Sequence, residues 1–213
     1  MSETVGRPVL GVLLAGGQSR RYGGEPKALA TVAGKTIAER AIRALQAATD
    51  RVVIVANEPE IYQRLGPDVR PDLRPGLGAL GGIHTAVAWA QERGCRGALV
   101  AACDMPFLSP GLLQRLVEGS NASEVVAPAS ESRRGLEPLC AYYGVGCRFA
   151  IEAAIERGDR HVTSFFPHVE VRTLPAEVVA RYGDPNLLFL NVNSPEDRER
   201  AEAAARKLEA AGR

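Results

Sequence analysis

VLGVLLAGGQSRRYGGEPKAL, residues 9–29, joins a short apolar run to a loop that is rich in glycine and positive charge. The run Val9–Leu14 is too short to span a membrane and has the length of a strand buried on both faces of a parallel sheet. The segment after it holds two glycine pairs and three cationic side chains, Gly16, Gly17, Arg20, Arg21, Gly23, Gly24 and Lys27. Because glycine lets backbone amides approach a ligand closely, this composition predicts a loop that binds phosphate.

The spacing of this loop differs from two well-known nucleotide loops. Lys27 is followed by Ala28 rather than by a hydroxyl residue, so the Walker A pattern is missing, and the dinucleotide pattern G-x-G-x-x-G is also missing. The second absence disfavours an NAD-dependent oxidoreductase. A glycine-rich turn with solvated charges is the alternative, but the loop directly follows a predicted strand, which is where open α/β sheets bind ligands.

Composition limits the class of protein. The chain has 213 residues, 46% hydrophobic and 24% charged, with a net charge of +1. One α/β domain covering residues 1–213 accommodates this length, and the small net charge argues against a nucleic-acid partner. We find neither a signal peptide nor an apolar stretch of spanning length, which predicts a cytoplasmic protein without membrane contact. The four cysteines form no C-x-x-C pair, so we expect reduced, buried thiols.

Strand and helix signals alternate along the rest of the chain. Beyond the first strand we expect apolar strands at Val52–Ala56, in GALVAACD ending at Cys103-Asp104, and at Glu124–Pro128, Leu139–Tyr143, Val169–Leu174 and Leu187–Asn191. Helical signals lie between them, including a Thr36–Glu39 capping box, a helix from about Leu80 to Arg93 and a last helix from Ser194. The alternation predicts a three-layer α/β sandwich with a mostly parallel sheet.

Two of the predicted strand ends carry polar side chains suited to a divalent cation. Asp104 ends an apolar strand in ACDMPF, where a buried carboxylate without partners is expensive, and Mg²⁺ often takes only one or two protein carboxylates. Capping of the following turn is the alternative for Asp104. In FLNVNSPED, the amides of Asn191 and Asn193 alternate along the chain and should project to one side. Asn193 is a candidate for a second, weaker metal ligand or for a substrate contact, with a turn role as the alternative.

Two further segments are candidates for contacts with a nucleotide. RPGLGALGGI places bare amides just before a helix, so we expect Leu80 and Gly81 to contact the nucleotide, although the glycines could also serve close packing. Asn57 and Asp72 follow the second strand and are placed to meet the base. A carboxylate can accept hydrogen bonds from guanine N1–H and N2–H₂ together, which the edges of cytosine and adenine do not offer.

The ordered motifs LLAGGQSRRYGGEPKAL, GLGALGGI, ACDMPF, LEPLCAYY, GDRHVTSFF and LNVNSPED together resemble the MobA-type molybdenum cofactor guanylyltransferases of the nucleotidyltransferase superfamily. The resemblance covers nearly the whole chain. It implies a Rossmann-like fold of the nucleotide-diphospho-sugar transferase type, Mg²⁺ as cofactor, and transfer of GMP from GTP to the terminal phosphate of Mo-molybdopterin with release of pyrophosphate. It also implies transient contacts with molybdopterin-handling proteins.

The resemblance assigns roles to individual positions. GTP contacts of the family fall on Leu14, Ala15, Gly16, Lys27, Asn57, Asp72 and Asp104, and Asp104 is also the magnesium ligand. We add Gly17 to the residues of the nucleotide site. Arg20 or Arg21 joins Lys27 as a catalytic cation. The candidates for the pterin site are Arg160, Asn191 and Asn193. The sequence departs from the family at Tyr22, Pro26 and Ala79, and Glu137-Pro138 stands where some members have His-Pro. These departures leave the phosphate loop intact and weaken claims about the pterin.

Three other functions remain open from the sequence. A sister nucleotidyltransferase that uses CTP, or another phosphorylated acceptor such as a sugar phosphate, would share the first loop and Asp104. A nucleotide-binding adaptor without turnover would be expected to lose Lys27 or Asp104, and both are present. An NAD-type oxidoreductase lacks its fingerprint.

Overall fold

The computed structural model describes residues 8–15, 26–122, 124–132 and 134–211. The strands in these ranges are β1 (Val9–Leu14), β2 (Thr31–Val32), β3 (Lys35–Thr36), β4 (Arg51–Val55), β5 (Asp68–Arg70), β6 (Gly97–Ala102), β7 (Glu124–Pro128), β8 (Cys140–Gly144) and β9 (Glu170–Leu174). The helices are α1 (Ile37–Gln46), α2 (Pro59–Tyr62), α3 (Gly78–Glu92), α4 (Pro110–Val117), α5 (Arg148–Glu156), α6 (Ala176–Val179), α7 (Pro185–Leu188) and α8 (Pro195–Ala211).

The central sheet has seven strands in the order β5-β4-β1-β6-β8-β7-β9. Six of them run parallel, and β8 runs antiparallel to both of its neighbours. Strands β2 and β3 form a separate antiparallel hairpin. The prediction of a mostly parallel α/β sheet is therefore confirmed.

Alternating side chains of β1 fill the core on both faces of this sheet. Val9 and Leu13 pack on one face with α1 and α4, whereas Leu10, Val12 and Leu14 pack on the other face with α3 and α5. All six residues of β1 are buried, as expected for a central strand that is covered on both sides. A third, smaller cluster joins the β2–β3 hairpin to α8.

Local signals set several of the helix ends. The capping box is present at α1, where the Thr36 hydroxyl accepts from the Glu39 amide at 3.2 Å and a Glu39 carboxylate oxygen accepts from the Thr36 amide at 2.8 Å. Ser109 caps α4 through its hydroxyl, with Pro110 at the first helical position. None of the helices in the described ranges is long and apolar enough to cross a membrane.

The predicted strand at Leu187–Asn191 is wrong. Residues Pro185–Leu188 form the short helix α7, which begins after Asp184, whose carboxylate accepts from the Asn186 amide at 3.0 Å. A run of four apolar residues fits a strand and one turn of a buried helix equally well. Here the Asp184 cap and Pro185 at the first helical position favour the helix. Consequently, the argument that placed Asn191 and Asn193 on one side of a strand does not hold.

Candidate functional site

The loops that leave β1, β4, β5 and β6 meet at one edge of the sheet. Each loop stays hydrogen-bonded to its neighbour just past the strand: the Ala15 amide donates to the Val55 carbonyl at 2.9 Å, the Ala56 amide to the Arg70 carbonyl at 2.9 Å, and the Cys103 amide to the Leu14 carbonyl at 3.1 Å. These bonds position the first residues of the loops. Open α/β sheets bind ligands at this edge because the carboxyl ends of parallel strands face it together.

Lys27 and Asn193 meet at this edge although they are far apart in sequence. The Lys27 ammonium donates to Asn193 Oδ1 at 2.8 Å. The position of Asn193 follows from the cap of α8, since its backbone amide donates to the Asp197 carboxylate at 3.0 Å and the Asp197 amide donates to the Ser194 hydroxyl at 3.1 Å. The structure thus brings together a predicted catalytic cation and a predicted weaker metal ligand.

Asp104 lies beside this pair. Its carbonyl accepts from the Val192 amide at 2.9 Å, which ties the end of β6 to the segment that holds Asn193. Burial raises the pKa of the Asp104 carboxyl, while a backbone hydrogen bond and the positive charge of Lys27 act to lower it. The buried oxygen Oδ1 has no hydrogen-bond partner among the described residues.

This unpartnered oxygen fits a hard cation, because burying a carboxylate without a donor or a counter-charge is costly. In the ranges that the structure describes, no group of three or more histidine, cysteine, aspartate or glutamate side chains is arranged to hold a metal ion. A cation at Asp104 would therefore take most of its ligands from water and substrate, which is typical of Mg²⁺ sites.

Glu137 is a second acidic side chain at the same edge, and from the sequence it was noted only as a departure from the family. Strands β6 and β8 pair antiparallel from Gly97–Gly144 to Ala101–Cys140, and the Ala102 amide still donates to the Leu139 carbonyl at 2.8 Å. Continuing that register places Glu137 opposite Asp104. Burial raises the pKa of Glu137, and the negative charge of Asp104 raises it further. A Glu-Pro pair two residues before an apolar strand was the signal that could have identified it.

A second cluster forms where β4 and β5 end. Asn57 Oδ1 accepts from the Asp72 amide at 3.0 Å, so the two residues predicted to meet the base lie together. Asp72 Oδ1 accepts from the Thr85 hydroxyl at 2.5 Å and from the Arg74 amide at 3.2 Å. Thr85 is fully buried in α3, and it was not singled out from the sequence because its neighbours suggest only an apolar helix.

Gly81 brings α3 close to this cluster. A Cβ atom at this position would lie 2.9 Å from Asp72 Oδ2 and 3.0 Å from the Arg74 carbonyl oxygen, so only glycine fits without a shift of its neighbours. Leu80 beside it is buried in the core. Leu77, the N-cap residue of α3, gives no side-chain hydrogen bond to the start of the helix, and a ligand could bind its first backbone amides.

The remaining predicted residues have mixed outcomes. Leu14 and Ala15 are buried at the end of β1, whereas Gly16, Gly17, Arg20 and Arg21 lie outside the described residues. The exposed Arg160 donates to the Gly76 carbonyl at 2.6 Å, which places it next to the loop before α3. The Asn191 amide group donates to the Phe189 carbonyl within its own turn at 3.2 Å.

Comparison with known proteins gives one family match and several close relatives. Residues 11–172 match the family described as the MobA-like NTP transferase domain. The molybdenum cofactor guanylyltransferase of Desulfosudis oleivorans is 37% identical over 198 residues, which cover 92% of this chain and 95% of that protein.

Solved structures share the fold. The crystal structure of the molybdopterin-guanine dinucleotide biosynthesis protein A from Archaeoglobus fulgidus superimposes with a TM-score of 0.74 at 27% identity. The superposition covers 93% of this chain and 100% of the Archaeoglobus chain. A Mycobacterium tuberculosis protein whose structure is a complex with manganese superimposes with a TM-score of 0.64 at 17% identity, covering 92% and 99% of the two chains. This second likeness concerns the fold alone.

Proposed function

Since the chain belongs to the MobA-like NTP transferase family and is therefore a nucleotidyltransferase, we propose that it transfers GMP from GTP to the terminal phosphate of Mo-molybdopterin. The observation that best supports this proposal is the meeting of Lys27, Asp104 and Asn193 at the sheet edge where the predicted phosphate loop begins. A cation, a neutral amide and a half-buried carboxylate that could hold a divalent cation are together suited to a triphosphate. We also propose that residues 1–213 form one nucleotidyltransferase domain.

The reaction needs positioning more than acid–base chemistry. An oxygen of the acceptor phosphate attacks the α-phosphorus of GTP and forms a new P–O bond, while the bond from that phosphorus to the oxygen bridging to the β-phosphate breaks and pyrophosphate leaves. The attacking oxygen is already anionic, so no general base is required. The positive charge of Lys27, held by Asn193, stabilises the negative charge that accumulates on the phosphates. We assign Arg20 or Arg21 to the same role on sequence grounds.

Mg²⁺ is the proposed cofactor. Asp104 would hold it through the oxygen that has no partner among the described residues, with Asn193 as a weaker ligand whose Oδ1 accepts from Lys27 in this structure. When bound, the ion supplies positive charge to the triphosphate and orients its oxygens. Support for a divalent cation comes from the chemistry of Asp104, whose buried oxygen has no hydrogen-bond partner among the described residues.

The base would lie at the cluster of Asn57 and Asp72, beside the start of α3. The backbone of Leu14, Ala15, Gly16, Gly17, Leu80 and Gly81 completes the proposed nucleotide site. For the acceptor we propose Arg160, Asn191 and Asn193, and we retain transient contacts with molybdopterin-handling proteins. The position of Arg160 beside the loop before α3 favours an interaction near the nucleotide.

Calorimetric titration of the protein with GTP, ATP and CTP, each with Mg²⁺ and with EDTA, tests the proposal. We expect magnesium-assisted binding of GTP alone, followed by pyrophosphate release when Mo-molybdopterin is added. Preference for CTP would assign the chain to a cytidylyl-transferring sister enzyme, and absence of nucleotide binding would overturn the proposal. Asp104→Asn tests the cofactor separately: it should abolish Mn²⁺ binding measured by electron paramagnetic resonance while the thermal melting temperature is retained.

A further inference from the structure

Thr85 connects helix α3 to the loop that carries Asp72. A threonine in the middle of a helix usually points to solvent or bonds back to its own helix, but Thr85 is fully buried and reaches out of α3. Its Oγ1 accepts from the Leu73 amide at 2.9 Å and donates to Asp72 Oδ1 at 2.5 Å. A hydroxyl has one proton, and an ionised carboxylate can only accept, so the direction of both bonds is determined.

These contacts make the two oxygens of Asp72 unequal. Both hydrogen bonds that the described residues donate to this carboxylate, from Thr85 and from the Arg74 amide, end on Oδ1. The other oxygen, Oδ2, faces the side of α3 where Gly81 has no side chain. Thr85 therefore fixes the rotation of the carboxylate, while the missing side chain at Gly81 lets Oδ2 lie close to the start of α3. Among the described residues none donates to Oδ2, so this oxygen is the one that can accept from a ligand.

We propose that Thr85 is a positioning residue for base selection. It holds Asp72 so that Oδ2 accepts a hydrogen bond from the 2-amino group of guanine, and it thereby sets the preference for this base. The inference rests on the proposed function, since it names how the same nucleotide site distinguishes its base. Thr85 acts through Asp72 and does not itself contact the nucleotide.

The first test compares binding of GTP and ITP, which lacks only the 2-amino group of guanine. Thr85→Val keeps the shape of the side chain and removes the hydroxyl, so we expect the preference for GTP over ITP to fall by about tenfold, the size of one hydrogen bond to a charged group. Thr85→Ser should restore it. We expect KM for GTP to rise while kcat stays within about twofold of the wild-type value, because Thr85 is not part of the Lys27–Asp104 group.

Two controls separate this role from a merely structural one. Thr49→Val removes a hydroxyl that donates to the Leu45 carbonyl at 2.8 Å after α1, and it should leave the GTP to ITP ratio unchanged. The double variant Thr85→Val with Asp72→Ala should show no further loss of preference beyond Asp72→Ala, since a residue that acts only through Asp72 has nothing left to position. Independent, additive losses would overturn the proposal.

Asp72→Asn gives a second test that holds even if Thr85→Val fails to fold. Thr85 and the Arg74 amide both donate, so they require the oxygen of the introduced side-chain amide on their side and direct its NH₂ group to the place of Oδ2. An acceptor becomes a donor there, and we expect GTP binding to weaken at least as much as in Asp72→Ala. Retained GTP preference in Asp72→Asn would refute the inference. If the unsubstituted protein itself showed no preference for GTP over ATP and CTP, the proposed function would fail instead, so the two failures are distinguishable.

Discussion

Replacing Lys27 by alanine isolates the contribution of one positive charge to catalysis. Its ammonium lies 2.8 Å from Asn193 Oδ1, and its charge acts to lower the pKa of Asp104, so it is at the centre of the proposed phosphate site. A unit charge at about 4 Å from a phosphate oxygen contributes roughly 4 kcal/mol at an effective dielectric constant of about 20, before desolvation. Lys27 is half-buried, so part of this energy is offset. We expect kcat to fall by about 10²- to 10³-fold.

Asn193→Ala is the variant against which the loss of kcat in Lys27→Ala is compared. It removes the hydrogen bond that the neutral Asn193 amide accepts from the ammonium, worth about 1.5 kcal/mol, together with the weaker proposed metal ligand, so kcat should fall by about tenfold, less than in Lys27→Ala. Asn57→Ala also removes a neutral contact and should cost far less turnover than Lys27→Ala. Lys35→Ala is the matched control, because it deletes the same charge from the exposed strand β3 of the hairpin.

Single-turnover release of pyrophosphate from GTP, with the pterin acceptor in excess, measures the chemical step without product release. Circular dichroism melting of each variant excludes unfolding as the cause. If Lys27→Ala stayed within about fivefold of the unsubstituted protein, or if Lys35→Ala lost as much as Lys27→Ala, electrostatic stabilisation by Lys27 would be the wrong mechanism.

Three predictions concern stability, each measured by urea unfolding. Gly97→Ala would place a Cβ 2.5 and 2.6 Å from two ring carbons of the buried Tyr142, and this overpacking should cost about 1–3 kcal/mol or more; an unchanged midpoint would contradict the packing at β6. Thr36→Ala should cost about 1 kcal/mol through the lost cap of α1. Hydrogen bonds from Thr36 lower the pKa of Glu39 in the folded protein. The ionised Glu39 carboxylate therefore stabilises the fold fully above the pKa that Glu39 has in the unfolded chain, and this stabilisation is lost as the pH falls through the lower pKa of the folded state. Glu39→Gln should remove this part of the pH dependence of stability and leave the rest.

Most of the sheet could be predicted from the sequence, because long apolar runs with β-branched residues have few alternatives. The strands at Val9–Leu14 and Glu124–Pro128 are confirmed to the residue, and three more lie within one residue of their predicted bounds. Strand β5 and the β2–β3 hairpin were missed, since two or three residues contain too little periodicity to read. Residues 187–191 were misread because apolar content alone does not distinguish a buried helical turn from a strand.

Polar residues at strand ends predicted most of the candidate site, and tertiary contacts added residues that the sequence did not indicate. Asp104 and the pair of Asn57 and Asp72 follow from the rule that ligands bind at the carboxyl ends of parallel strands. Asn193 was singled out with the wrong local structure, although the structure does bring it to Lys27. Thr85 could not be found, because nothing in an apolar helix shows that one hydroxyl turns toward a loop 13 residues earlier.

The hydrogen bond between Lys27 and Asn193 also sets an order of events during synthesis. It joins residues that are 166 positions apart, and at 5–20 residues per second a ribosome needs about 8 to 33 s to cover that distance. The first strand and Lys27 therefore emerge long before the amide that orients the ammonium. A growing chain can therefore build β1, β4 and β6 and still lack this contact, so the ammonium of Lys27 is oriented only after Asn193 has been synthesised.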